Sequence, residues 1–321
     1  MTGIFVYEYV SGGAPMHDDA ATASLLHAGI AMRDAMVLDL LALPDVRVTC
    51  AVSSRAGPPC PAHRRLICVA PQAHEPPEDF VHRLTRGHDH AWVVAPESHD
   101  ALARLHQAVG ETRWIGCTAE AIRTASSKRA TVAALSAAGV PTPIAVAPEA
   151  SSRWIVKPDD GAGAVDTRIH PHRDAALADL QERERHGRAT TMEPYVEGEA
   201  LSVSLLAGAP APEVIALNRQ QIAVDAHGRV ADLGVLHHAI GPEDARAACL
   251  RAVAADVVRA LPGLRGYVGV DLVWHATRGP VVIEVNPRLT CAYPGLSAKL
   301  GRNLAADILA LHAIKETRDA A

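Results

Sequence analysis

Gly269-Val270-Asp271-Leu272-Val273 and, after a short polar break, Val282-Ile283-Glu284-Val285-Asn286-Pro287-Arg288 decide how this chain is read. Both are apolar, β-branched runs of strand length, and Thr277-Arg278-Gly279 between them suits a hairpin turn. Side chains alternate along a strand, so Glu284 and Asn286 share a face, and the turn brings Asp271 to the neighbouring strand on that side. Two carboxylates and an amide oxygen then converge where an uncompensated charge is costly. A hard divalent cation resolves the conflict, because Mg²⁺ takes oxygen ligands and keeps substrate phosphates in its shell. Arg288, just beyond Asn286, reaches the same space and can hold an anion through a fork of donors. The plainer alternative is a salt-bridged hairpin with Arg288 neutralising Glu284. It leaves Asp271 and Asn286 unexplained.

Three upstream segments bear on the same chemistry. Trp154-Ile155-Val156-Lys157-Pro158 ends a strand in lysine and runs into Asp159-Asp160-Gly161-Ala162-Gly163. A fixed ammonium followed by a small glycine-containing loop offers charge and backbone donors that can fold over phosphates. Alone this is weak, since many strands end in Lys-Pro and a turn. Met192-Glu193-Pro194-Tyr195-Val196-Glu197-Gly198, continued by Glu199-Ala200-Leu201-Ser202-Val203, is an apolar strand end that turns at glycine. It can present backbone groups to an adenine edge and a carboxylate to ribose hydroxyls, or be an acidic turn in solvent. Lys128, at the start of an alanine-rich helix opened by Ser126-Ser127, gains weight only from this company.

Composition narrows the classes. The 321 residues are 49% hydrophobic and 21% charged, enough apolar material for sizeable cores and against wholesale disorder. Only 3% are aromatic, so Ala, Val and Leu must fill those cores. A net charge of −5 supplies no clustered basic surface, so no nucleic-acid partner is expected. No apolar run approaches the roughly 20 residues that span a bilayer. The opening Met1-Thr2-Gly3-Ile4-Phe5-Val6-Tyr7-Glu8 lacks the basic start of a signal peptide. A cytoplasmic chain with no membrane partner is the expectation. The six cysteines form no Cys-x-x-Cys pair and are expected to be reduced thiols. His88-Asp89-His90, His170-Pro171-His172 and His237-His238 lack zinc spacing and read as solvated or hydrogen-bonded side chains.

Outward from the hairpin, the first 110 residues or so alternate strand-like runs (4–9, 46–52, 66–69, 92–95) with helical stretches such as 19–42. That alternation predicts an α/β unit with a parallel sheet covered on both faces. Ser11-Gly12-Gly13-Ala14-Pro15 after the first strand lacks a dinucleotide fingerprint. It reads as a tight turn whose N–H groups could reach a substrate carboxylate. Beyond Ser126 the texture becomes α+β. A helix runs to Gly139, and a strand, the glycine loop, a strand, a helix near 173–187 and another strand follow. Strands near 201–207 and 213–224, a helix near 243–260, the hairpin and a helix after Lys299 complete the chain.

The order Lys128, Lys157-Pro-x-x-Gly-x-Gly, Glu193-Pro-Tyr-Val-x-Gly, Asp271 and Glu284-x-Asn286-Pro-Arg288 resembles the ATP-grasp ligases over roughly residues 116–321. The resemblance implies a pre-ATP-grasp parallel-sheet domain at 1–115 and an ATP-grasp domain at 116–321. The latter would hold a small lid subdomain at about 125–192 and a metal-binding, C-terminal subdomain at 193–321. It further implies that Lys128 and Lys157 contact ATP phosphates, that the loop with Gly161 and Gly163 closes over them, and that Glu193 and Val196 form the adenine hinge. Asp271, Glu284 and Asn286 would hold two Mg²⁺ ions, with Mn²⁺ able to substitute, and Arg288 would bind the transferring phosphate. The family's usual ribose glutamate falls at Ala200, so Glu199 next door is the candidate substitute. Val6-Tyr7-Glu8-Tyr9-Val10-Ser11-Gly12-Gly13 and Leu289-Thr290-Cys291-Ala292-Tyr293-Pro294-Gly295-Leu296 resemble the tyramine–glutamate ligase group of methanofuran and methylofuran biosynthesis. That group implies an amide joined between the γ-carboxyl of L-glutamate and tyramine or a tyrosine-like amine. A different amino-acid ligase, a non-catalytic nucleotide-binding relative and a homodimer remain open at this point.

Overall fold

The structure, a computed structural model, describes residues 1–15, 20–59, 62–145, 153–161, 163–208 and 211–319, with only the backbone described for 20–22 and 314–319. Cys60, Ala162 of the glycine loop and the first residue of the 19–42 stretch lie outside the described residues. β1 (Thr2–Glu8), β2 (Val46–Ala51), β3 (Leu66–Val69), β4 (His90–Val94) and β5 (Trp114–Ile115) form a parallel sheet in the order β3-β2-β1-β4-β5. Helices α1 (Ala20–Leu41), α2 (Pro77–Thr85) and α3 (Ala101–Val109) connect them. The β1 run Ile4-Phe5-Val6-Tyr7 is buried throughout, as a parallel strand covered on both faces must be. Ile4 and Val6 gather with Met36, Val37 and Leu40 of α1, while Phe5 and Tyr7 meet Phe80 of α2.

Strand order reverses beside β1, which has β2 on one side and β4 on the other. In such sheets the crevice beyond the carboxyl ends of these strands is where ligands are taken. The turn after β1 is closed on itself. Glu8 accepts from the Ser11 N–H at 2.7 Å and the Val10 N–H at 3.3 Å, and Gly12 N–H donates to the Glu8 carbonyl at 2.7 Å. Those donors are therefore engaged within the turn, and a tight turn is what the sequence builds here. The loop after β4 carries Glu97 into the crevice.

α5 (Lys128–Ala137) is the alanine-rich helix that opens at Ser126-Ser127, and α4 (Ala119–Ser126) precedes it. The break is Ser127, whose extended backbone stops α4 and whose Oγ accepts from the Ala130 N–H to cap α5. β6 (Trp154–Pro158), β7 (Arg168–His170) and β8 (Thr190–Pro194), with α6 (Arg173–Arg185), make a small antiparallel sheet in the order β7-β6-β8. β9 (Glu199–Ala207), β10 (Glu213–Val224), β11 (Val230–Leu236), β12 (Gly266–His275) and β13 (Gly279–Asn286) make an antiparallel sheet in the order β11-β10-β9-β12-β13. α7 (Ala247–Ala260) covers one face, and α8 (Leu296–Leu300) and α9 (Leu304–Asp319) complete the chain. β5, α4 and β11 escaped the sequence reading. β5 has two residues, and β11 is largely exposed, so neither carries a strong apolar period.

The two faces of the large sheet differ in chemistry. Leu201, Val203, Leu205, Leu217, Val268, Val270 and Leu272 join Leu250, Val253 and Val257 of α7 in one apolar cluster. The same cluster continues through Ile122 and Leu135 to Phe5 and Phe80, so the parallel and antiparallel sheets share a core. The alternate residues, among them Ser202, Ser204, Asn218 and Asp271, belong to the opposite face. Among the described residues, no helix is long and apolar enough to cross a membrane.

Gly198 joins β8 to β9 with φ +154°, and a Cβ built there would lie 2.2 Å from the Trp274 carbonyl oxygen. Gly187 also has positive φ, at +72°, but a Cβ there meets nothing within 4 Å. Gly198→Ala is expected to lower stability by about 1–3 kcal/mol more than Gly187→Ala, read as the difference in urea midpoints at unchanged slope. Equal losses would remove the steric reason for glycine at the turn.

Candidate functional site

Asp271 on β12 stands opposite Glu284 on β13, and Gly269 opposite Asn286. The absent side chain at Gly269 matters, because a Cβ would come within 2.6 Å of Thr290 Cγ2. Asn286 Nδ2 donates to Asp271 Oδ2 at 3.1 Å. Beside them a buried network fixes the floor. Asn218 Nδ2 donates to Ser204 Oγ at 3.1 Å, and the Tyr267 hydroxyl reaches Ser204 Oγ at 2.8 Å and Thr290 Oγ1 at 2.9 Å. Burial, reinforced by repulsion from Glu284, pushes the Asp271 carboxyl up to about 7, and hydrogen bonding from Asn286 offsets only part of this. Here the carboxyls outnumber nearby cations. Asp271, Glu284 and the Asn286 amide oxygen therefore fit a hard, oxygen-seeking cation such as Mg²⁺.

The positive charge beside Glu284 is Lys128, whose Nζ lies 3.1 Å from Glu284 Oε1 and also donates to the Gly161 carbonyl at 3.0 Å. Asp159 holds this arrangement together. Its carboxylate accepts from Ser127 Oγ at 2.7 Å and the Arg129 N–H at 2.9 Å, and its carbonyl accepts from the Lys128 N–H at 2.9 Å. A carboxylate at a helix N-terminus satisfies free N–H groups and meets the positive end of the dipole. The start of the glycine loop is thus pinned to the helix that carries Lys128.

Lys157 on β6 pairs across the small sheet with Glu193 on β8, Nζ to Oε2 2.8 Å, both almost wholly buried. The contact is close without being aligned as a hydrogen bond, since neither atom has a hydrogen-bond partner by geometry. Gly161 and Gly163 both have positive φ, +133° and +70°, which suits a loop that must fold tightly. Val196 packs with Val273, Val281 and Ile283 in a small apolar cluster beyond the end of β8.

Arg288 and Glu199 take partners from distant segments. Arg288 does not neutralise Glu284 in a plain salt-bridged hairpin; it forks onto Glu97 at 2.8 and 2.9 Å, across from the parallel-sheet domain. Glu199 is engaged by Arg219 and Arg246, and Arg246 lies over the Trp274 ring. Burial opposes its charged form, but the hydrogen bonds from Arg246 and Arg219 outweigh it and hold the carboxyl below its usual range. By strand alternation Glu199 shares the α7 face with Leu201, whereas Ala200 and Ser202 share the face of Asp271. Glu199, the ribose candidate, therefore lies across the sheet from Asp271 and is paired with two arginines. In two of the histidine clusters His170 pairs with Asp179 at 2.8 Å, His88 bonds Thr49 and the His172 ring caps α6, whereas His237 Nδ1 and His238 Nε2 are buried without a hydrogen-bond partner.

Sequence reasoning missed Glu97, Asp159 and the Ser202-Ser204-Asn218 floor. The floor had a signal, a serine at alternate positions in Leu201-Ser202-Val203-Ser204-Leu205. Glu97 had none, for its partner lies 191 residues away.

Comparison with known proteins follows from this geometry. Residues 125–292 match the ATP-grasp domain. The chain belongs to the ATP-grasp family. Residues 46–122 match the pre ATP-grasp 3 domain, the region of the parallel sheet. The chain is 32% identical over 210 residues to a tyramine–L-glutamate ligase of Methanocaldococcus jannaschii, covering 65% of this chain and 58% of that one. A tyramine–L-glutamate ligase of Methanocaldococcus fervens is 30% identical over 213 residues, covering 66% and 62% respectively. The aligned stretches thus span less than two thirds of either curated relative. A crystal structure of an ATP-grasp superfamily protein from Archaeoglobus fulgidus superposes with a TM-score of 0.70 at 22% identity, over 97% of this chain and 88% of that one. That likeness establishes the fold.

The Asp271 carboxyl gives a pH dependence with a defined sign. Its folded value, about 7, lies above the ordinary 3.8, so between these limits the folded chain keeps a proton that the unfolded chain releases. The stability this contributes is complete below about pH 4 and is lost as pH rises through about 7. Without divalent ions, Asp271→Asn should therefore gain thermal midpoint relative to wild type as pH rises from about 5 to about 8. Mg²⁺ should raise the wild-type midpoint more than that of the variant. A wild-type-to-variant difference that is flat with pH would remove the buried, repelled carboxyl.

Proposed function

We propose that this chain is an ATP-dependent, ADP-forming carboxylate–amine ligase. ATP passes its γ-phosphoryl group to a carboxylate, and an amine displaces phosphate from the acylphosphate to leave an amide. The observation that carries this reading is the meeting of Lys128, Asp271, Glu284, Asn286 and Arg288 at the glycine loop, on the polar side of one sheet. Phosphoryl transfer needs positioning and charge neutralisation rather than covalent help from the protein.

Each group then has a task. Lys128 and Lys157 hold phosphates, and the loop with Gly161 and Gly163 folds over them to keep water from the acylphosphate. Glu193 and Val196 line the adenine hinge. Asp271, Glu284 and Asn286 hold two Mg²⁺ ions, or Mn²⁺ in their place, which neutralise charge on the phosphates. Arg288, its fork seated on Glu97, offers its positive charge and its remaining Nη1 N–H to the transferring phosphate. Residues 1–115 form the pre-ATP-grasp domain and 116–321 the ATP-grasp domain, with a lid at about 125–192 and the metal-binding part at 193–321. The acid we assign is L-glutamate through its γ-carboxyl, and the amine tyramine or a tyrosine-like amine, in cofactor biosynthesis of the methanofuran or methylofuran type. The similarity to two tyramine–L-glutamate ligases supports that choice.

A strong small nucleophile tests the chemistry without the natural amine. Enzyme, MgATP, L-glutamate and hydroxylamine should yield ADP and the γ-glutamyl hydroxamate. An α-hydroxamate would keep the chemistry and discard the γ-carboxyl assignment, whereas AMP in place of ADP would sink the acylphosphate route.

In the same assay, Arg288→Lys should lose turnover by about 100–1000-fold, because a point charge does not reproduce a planar fork. Lys157→Ala should weaken ATP binding more than glutamate binding, measured as separate KM values. Unchanged kcat in Arg288→Lys would reduce that arginine to a structural partner of Glu97.

A further inference from the structure

Glu97 stands just past the carboxyl end of β4, at the reversal of strand order, with 2% of its surface exposed. It receives the Arg288 Nε–H on Oε1 at 2.9 Å and the Nη2–H on Oε2 at 2.8 Å. A guanidinium carries five N–H donors in one plane. Glu97 takes two of them side-on, and Nη1 donates a third to the Leu289 carbonyl at 3.0 Å. Nη2 also leans on Asn286 Oδ1 at 3.4 Å, at the end of the hairpin. The plane of Arg288 is thereby fixed. Two residues further along the loop, His99 N–H donates to Oδ2 of Asp160, the residue before Gly161, at 2.7 Å. His99 and Asp100 both adopt left-handed backbone, φ +53° and +56°. Such a conformation is costly outside glycine and persists where surrounding contacts over-determine it.

We infer that Glu97 is a positioning residue for the reaction proposed above, setting the orientation of Arg288, while its own loop ties the glycine loop to that arginine through His99 and Asp160. The inference rests on the ligase reading. Mere adhesion between domains does not call for a buried ion pair, because apolar contacts of similar volume hold surfaces together at least as well. A bidentate pair adds orientation, which apolar packing does not supply.

The test compares Glu97→Gln and Glu97→Asp, alone and in an Arg288→Lys background, by hydroxamate formation. Glu97→Gln should lower kcat by about 10–100-fold with KM for ATP little changed, as loss of an orienting partner does. Glu97→Asp, which keeps the charge, should recover part of that loss. In the Arg288→Lys background, Glu97→Gln should cost little more, because its effect runs through the lost fork. An equal further loss in both backgrounds, or wild-type kcat in Glu97→Gln, overturns the inference.

A second measurement needs no activity. Amide hydrogen exchange on the nucleotide-free protein should be faster over 286–292 and 157–161 in Glu97→Gln than in wild type. Unchanged exchange in both segments would show that Glu97 holds neither. A wild type that forms no hydroxamate with any acid would defeat the ligase reading instead, while the exchange comparison would still decide what Glu97 holds.

Discussion

Asp271 and Glu284 occupy one register position of two paired strands, and much of the surrounding structure answers the repulsion between them. Like charges about 4 Å apart repel by roughly 4 kcal/mol at the effective dielectric of a protein near its surface. The chain relieves this in two ways. Asp271 retains a proton up to about pH 7, and Lys128 is brought against Glu284 from a helix far away in sequence. Neither answer is complete, and the charge on the hairpin stays only partly compensated by the protein's own groups.

The large antiparallel sheet makes such a site tolerable. One face is a continuous apolar surface under α7, and it carries the stability. The other face can then hold Ser202, Ser204, Asn218 and Tyr267 in a closed hydrogen-bond network, at little cost to folding because each polar group has a partner. Gly269 keeps Thr290 close to this floor, and Thr290 in turn anchors the segment after Arg288. The same two-faced logic sets Glu199 apart from Asp271 and Glu284, its carboxylate paired with Arg219 and Arg246 at the edge of the apolar side.

The parallel-sheet domain contributes more than a neighbour's bulk. Its topological switch lies where the loop after β4 leaves the sheet, and that loop meets both Arg288 and Asp160. Arg288, just past β13, and the glycine loop of the small sheet are thus referred to a common third body. A shared apolar core from Phe5 through Leu135 to Val268 makes that reference rigid.

Local sequence by itself determined most of the elements, β5, α4 and β11 excepted, and the polar residues of the hairpin. Period-two runs with β-branched residues gave the β12–β13 hairpin, and alternation within it put Asp271, Glu284 and Asn286 together before any fold was known. Lys157 at a strand end and the glycine-containing loop after it were legible for the same reason, since each depends on a few neighbouring residues. Which charge meets which was not legible. Lys128 beside Glu284, Glu193 against Lys157, Glu97 under Arg288 and Glu199 on the far face are all set by distant segments packing on one another. Coulomb attraction has no sequence register, and only the tertiary structure, by closing those distances in a low-dielectric interior, decided the pairs.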